Sequence, residues 1–172
     1  MDVGRPDFLY GWGYTIDVCG TWPRLPVFFL LGLGSFLIAQ LSYAAAFRRL
    51  ASGAKGLLNT QPWWVLPFVG YLLWMLTTLW VSIPVDMRLP VAVYAIAIVW
   101  MALSALNLKG LVQNAIFQGL MAGVLLFVLS DSLIAWNKFH STIPYARQWI
   151  MVTYLLAQWL IATRAASISV DK

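Results

Sequence analysis

Residues 115–136 read AIFQGLMAGVLLFVLSDSLIAW. A helix of about 20 apolar residues, rising about 1.5 Å per residue, crosses the roughly 30 Å hydrocarbon core of a bilayer, and this run is long enough. It carries one charge, Asp131, within Val128-Leu129-Ser130-Asp131-Ser132. A carboxylate at that depth costs roughly 2.5–3.5 kcal/mol on insertion-derived scales, so something in the fold must offset it. Asp131 is the only acidic residue inside any long apolar run of the chain, which makes it the first candidate for function.

Four further stretches resemble this one in length and apolarity. Residues 25–47 stop at Arg48-Arg49, and residues 63–83 lie between Pro62 and Pro84. Residues 89–106 are short but uncharged, and residues 148–163 are bracketed by Arg147 and Arg164, whose long stems can snorkel to the interfaces. The expected fold class is therefore all-α, a polytopic transmembrane helix bundle of five spans. It occupies residues 25–166 as one domain, after an irregular polar and aromatic segment (1–24) and before a short tail (167–172). The expected connections are a loop around Ser52 to Gly56, a tight turn from Pro84 to Arg88, a linker from Asn107 to Gln113 and a polar loop from Asn137 to Tyr145. Arg48, Arg49, Lys55, Lys109, Arg164 and Lys172 gather at one end of the bundle. Arg5, Arg24, Arg88, Lys138 and Arg147 gather at the other. The concentrated Arg48-Arg49-Lys55 group points the first short loop, and with it the C-terminus, to the cytoplasm of a multi-pass protein in a bacterial inner membrane.

Composition agrees. Only 10% of the residues are charged and the mean hydropathy is +0.79, whereas soluble domains carry about 25% charged residues. The net charge of +5 comes from Lys and Arg spread over short loops, an arrangement that marks membrane flanks and implies no nucleic acid. With Cys19 alone, His140 alone and no Glu, the usual clustered ligand sets for a metal are missing, and no cofactor is implied.

On the helix that holds Asp131, the residues Gly119, Gly123, Phe127 and Asp131 recur every four positions and form one stripe. The glycine pair is a small-xxx-small surface that lets another helix approach closely, so Asp131 is expected to face protein. Ser130, Asn137 and Lys138 lie beside or beyond it. The last helix offers Tyr154, Gln158 and Thr153, and the first offers Ser35, Gln40 and Tyr43. Consecutive antiparallel helices are neighbours by default, so Tyr154 and Gln158 are expected to donate to Asp131. The competing reading makes each of them an ordinary interhelical hydrogen bond. A carboxyl withdrawn from water favours its neutral form and can serve as a general acid. No Ser-His pair suggests acyl-ester chemistry.

The segment GVLLFVLSDSLIAWNKF (Gly123 to Phe139) followed by VTYLLAQWLIA (Val152 to Ala162) resembles the signature of the YhhN-like lysoplasmalogenase family. GLGSFLIAQLSY (Gly32 to Tyr43) and LPVAVYAIAIVWMALSAL (Leu89 to Leu106) agree with it in order. The resemblance implies a bundle, usually of eight helices, that hydrolyses the vinyl ether of lysoplasmalogens to a fatty aldehyde and a glycerophospho-base. It implies Asp131 as the acid and, by spacing, Asp17 as a second catalytic carboxylate, although Ile16 precedes Asp17 where the family has Gly. It leaves the family's N-terminal helices to a truncated start or a divergent member, and it sets Gln40 where many members have His. Gln40, Tyr43, Asn137, Lys138, Tyr154 and Gln158 are then the substrate-binding candidates, with Arg147 beside Lys138 for a lysophospholipid phosphate. Two other readings stay open: a small-solute or proton-coupled transporter built on a lone intramembrane acid, and an inactive or structural membrane fragment. No oligomeric state is implied.

Overall fold

In the computed structural model the described residues are 24–51 and 53–170, with side chains described for 30–51 and 53–168. Six helices follow one another: α1 (Arg24–Leu50), α2 (Leu57–Thr60), α3 (Val65–Leu79), α4 (Val85–Leu106), α5 (Asn114–Phe139) and α6 (Ala146–Val170). A single 3₁₀ turn, Pro62–Trp64, leads into α3. The fold is an all-α bundle, as the apolar runs predict.

Four helical stretches among the described residues are long and apolar enough to cross a membrane: Leu30–Leu50, Pro62–Leu79, Val85–Leu106 and Asn114–Phe139. The expected count of five is corrected at α6. That helix forms over the expected residues and beyond them, but Gln148, Thr153, Gln158, Thr163 and Arg164 dilute its apolarity. The expected turn from Pro84 to Arg88 is also shorter than read. The chain reverses over Trp80 to Pro84, and Pro84 caps α4, so Asp86 and Arg88 are already helical. The ring of a proline just before a helix costs no hydrogen bond there, because the first N–H groups have no intrahelical acceptor anyway.

The Gly119 and Gly123 surface meets α6. A Cβ on Gly123 would stand 2.9 Å from Leu160 Cβ and 3.1 Å from the Ala157 carbonyl oxygen, so only glycine permits this approach. A Cβ on Gly119 would strike the Arg164 side chain. α1 and α4 pack in the same manner, Ala44, Phe47 and Ala51 meeting Met101, Ala102 and Ala105. Without a hydrophobic driving force inside lipid, such small-residue contacts are what hold helices together.

The two halves of the bundle differ. Toward the Arg48 end, a continuous core runs from Ala44 and Phe47 through Met101, Leu108, Leu120 and Phe127 to Ile161. Toward the Lys138 end, a smaller cluster of Leu79, Ile83 and Val91, edged by Met75, Trp136 and Phe139, leaves space between the helices.

Candidate functional site

That space is a cavity of about 380 Å³ bounded by α1, α3, α4 and α5. Its volume lies in the range of about 300–1,000 Å³ usual for small-molecule sites. The wall is almost wholly apolar: Leu33 and Phe36 from α1, Leu72 and Leu76 from α3, Val91 and Ile98 from α4. Along α5 it extends from Phe139 to Val128, roughly 16 Å at 1.5 Å per residue. Four polar side chains break the wall, Asp131, Tyr94, Tyr71 and Ser132.

Asp131 is 8% exposed, and one of its oxygens accepts a hydrogen bond from the Tyr94 hydroxyl at 2.9 Å. No cation faces it among the described residues. The sequence reading expected Tyr154 and Gln158 as its donors, but α4 supplies the donor instead. Tyr94 is the only hydroxyl between Leu89 and Leu103, and that isolation in an uncharged run was the signal available for it. A second pair joins α3 to α5 at the cavity: the Tyr71 and Ser132 hydroxyls lie 2.7 Å apart. Ser132 also donates to the Val128 carbonyl at 2.7 Å, which leaves Tyr71 as the donor across the gap.

Tyr43 and Gln158 find each other. The Tyr43 hydroxyl donates to Gln158 Oε1 at 2.6 Å and ties α1 to α6. Tyr154 packs edge-on against Phe36 at 5.7 Å and at a tilt against Phe127 at 5.9 Å, and its hydroxyl is within electrostatic range of both Tyr43 and Tyr94. Gln40 is fully buried (0%), and neither its Nε2 nor its Oε1 has a hydrogen-bond partner among the described residues. It lies beside the Tyr94 hydroxyl. A buried polar atom left unpaired costs roughly 1–3 kcal/mol, so this amide stands out. Gln40, Tyr43, Tyr94, Asp131, Tyr154 and Gln158 thus form a polar layer between the packed half and the cavity.

The remaining candidates lie elsewhere. Asn137 Oδ1 accepts from the Ile143 amide at 2.9 Å and shapes the α5–α6 loop. Lys138 is exposed beside the cavity-lining Phe139, its Nζ 5.8 Å from the centre of that ring, and Arg147 is exposed at the same end of the bundle. Ser130 donates to the Ile150 carbonyl at 3.2 Å, and His140 rests on Trp136 at 4.4 Å. Asp17 lies outside the described residues. Among the described residues no His, Cys, Asp and Glu group could hold a metal ion.

The sequence profile of the YhhN family matches residues 12–165. Lysoplasmalogenase TMEM86B of Sus scrofa is 36% identical over 146 residues, covering 85% of this chain and 56% of its own. Lysoplasmalogenase TMEM86B of Homo sapiens is 34% identical over 158 residues, covering 91% of this chain and 61% of its own. Lysoplasmalogenase TMEM86A of Homo sapiens is 41% identical over 66 residues, covering 38% of this chain and 28% of its own. The chain thus spans little more than half the length of the relatives it matches over most of its own residues. No solved structure matches.

Proposed function

The chain belongs to the YhhN family, and from that membership we propose that it is a multi-pass membrane hydrolase of the lysoplasmalogenase type, with Asp131 as its general acid. Its substrate is a lysophospholipid carrying a vinyl ether. The observation that carries the reading is a buried carboxyl on the wall of an otherwise apolar cavity, held by one neutral hydroxyl donor.

Vinyl ethers resist base but open once a proton reaches the β-carbon. The alkenyl chain lies in the cavity, with the phosphate toward Lys138 and Arg147. The Asp131 O–H bond breaks, its proton forms the new C–H bond with the double-bond electron pair, and the ether carbon becomes an oxocarbenium ion. The Asp131 carboxylate left behind is an opposite charge beside that cation, in a setting where charge interactions are stronger than in water. The Tyr94 hydroxyl stabilises this carboxylate by hydrogen bonding. Water then adds to the cationic carbon, a proton returns to Asp131, and the hemiacetal collapses to a fatty aldehyde and the glycerol hydroxyl. The cytoplasmic side is read at the Arg48 end, opposite the cavity mouth.

The test uses purified protein in detergent with a lysoplasmalogen and a matched acyl lysolipid, following aldehyde release. Aldehyde from the vinyl ether alone, lost in Asp131→Asn, is the expected result. Undiminished turnover by Asp131→Asn overturns the acid role. Asp17→Asn belongs in the same assay, because the resemblance assigns it the second carboxylate.

A further inference from the structure

Gln40 sits behind the cavity, not on it. Phe36, one turn closer to the Lys138 end on the same face of α1, is part of the wall, whereas Gln40 is not. An alkyl chain entering the cavity therefore stops at Phe36. Beyond it lie two polar atoms of Gln40 with no hydrogen-bond partner among the described residues, and beside them the hydroxyl of Tyr94. Tyr94 gives its one proton to Asp131 at 2.9 Å, so its oxygen offers lone pairs to anything on the Gln40 side. The Gln40 amide offers two N–H donors and a carbonyl acceptor. A species that satisfies this set must donate and accept at once and must be small. A buried water makes about three hydrogen bonds to otherwise unpaired polar groups, and Gln40 Nε2, Gln40 Oε1 and Tyr94 Oη supply that number.

We propose that Gln40 and Tyr94 bind an internal water molecule behind the cavity wall, and that this water is the nucleophile consumed in the hydrolysis. Its binding stands on Gln40 alone, while its consumption rests on the lysoplasmalogenase reading above. Gln40 is a positioning residue. It orients the water, while Tyr94 connects that water to the acid. As the water oxygen bonds to the oxocarbenium carbon, one of its protons moves onto the Tyr94 oxygen. The Tyr94 proton moves in turn along its existing hydrogen bond to the Asp131 carboxylate. The acid is thereby regenerated, Tyr94 ends as it began, and no other proton donor or acceptor is needed.

Two measurements on the full chain test this. An experimental structure at a resolution that shows ordered waters should place one within hydrogen-bond distance of both Gln40 and Tyr94, and Gln40→Leu should abolish it. A Gln40 amide bonded only to protein groups overturns the site. In the aldehyde assay, Gln40→Leu should lower kcat about tenfold or more while leaving KM nearly unchanged, since the variant keeps the cavity and loses only the oriented water. The melting temperature of Gln40→Leu should change little, because the variant exchanges a water-bonded amide together with its water for an apolar side chain of similar size, and this separates lost chemistry from lost folding. Wild-type kcat in a well-folded Gln40→Leu protein overturns the nucleophile role. Absence of aldehyde from the wild type defeats the lysoplasmalogenase reading and the nucleophile role together, while the water bound at Gln40 is still decided by the structure.

Discussion

The close approach of α5 to α6 at Gly123 gives a sharp test of the bundle's architecture. Replacing Gly123 by Ala puts a methyl group 2.9 Å from Leu160 Cβ, 3.0 Å from Ile161 Cγ1 and 3.1 Å from the Ala157 carbonyl oxygen. Non-bonded carbon atoms rest at about 3.5–4.0 Å, so α5 and α6 must part by about half an ångström. Two of those three neighbours are a backbone oxygen and a Cβ, which cannot rotate away. Overpacking of this kind costs about 1–3 kcal/mol, and the better helix propensity of Ala returns about 1 kcal/mol. The net expectation is a loss of about 1 kcal/mol. Gly70 of α3 has no atom within 4 Å of its would-be Cβ, so Gly70→Ala keeps the propensity gain alone. The two variants should then differ by about 2 kcal/mol, or about 4–8 °C in melting temperature for a chain of this size. Gly119→Ala should fall between them. Its nearest neighbour is Arg164 Nε at 2.6 Å, the far part of a flexible side chain that can swing aside. Thermal unfolding of the three purified proteins in one detergent is the assay. A Gly123→Ala protein that melts at or above Gly70→Ala would refute the close α5–α6 packing on which the placement of Asp131 depends.

Further consequences follow from the same geometry. Tyr94→Phe removes the only donor to Asp131 among the described residues, so aldehyde release should fall by about tenfold or more while stability changes by only about 0.6 kcal/mol, the average for an interhelical hydrogen bond in a membrane. Ala95→Leu grows into the cavity; it should raise KM for a long-chain substrate and raise the melting temperature, opposite signs that a folding defect cannot produce. Asn107→Ala deletes the acceptor of the Leu58 amide, a 3.0 Å bond that fixes the α1–α3 connection, and should cost about 1 kcal/mol of stability without altering kcat. In a Cys19→Ser background, a cysteine at Lys55 should be shielded from an impermeant thiol reagent added to intact cells, and one at His140 should react. The reverse pattern inverts the orientation read from the Arg48 end.

Much of this was legible along the chain. The helices follow from apolar length alone, because backbone groups in lipid must pair within their own segment. The Gly119 and Gly123 spacing announced a close helix partner, and the lone charge of Asp131 marked a candidate site, since an acid in that setting is expensive enough to require a reason. The resemblance at Gly123 to Phe139 pointed to the family that the match over residues 12–165 then showed.

Periodicity along one helix says which face is buried but not which other helix supplies the partner. Tyr154 and Gln158 lie on the neighbouring helix in sequence order, yet the hydroxyl that reaches Asp131 comes from Tyr94 on α4, and Gln158 instead receives Tyr43 from α1. Asn137 looked like part of the site because it follows Ser130 by seven residues, on a line beside Asp131, but its side chain turns to the loop amide of Ile143. The division of the bundle into a packed half and a hollow half depends on how four helices splay, a property of no single segment. Local sequence thus determined the helices, their apolar faces and the presence of a buried acid, because those depend on each segment's own transfer energy. The donor to that acid, the cavity beside it and the unpaired amide of Gln40 arise from contacts between residues dozens of positions apart, and only the assembled bundle decides them.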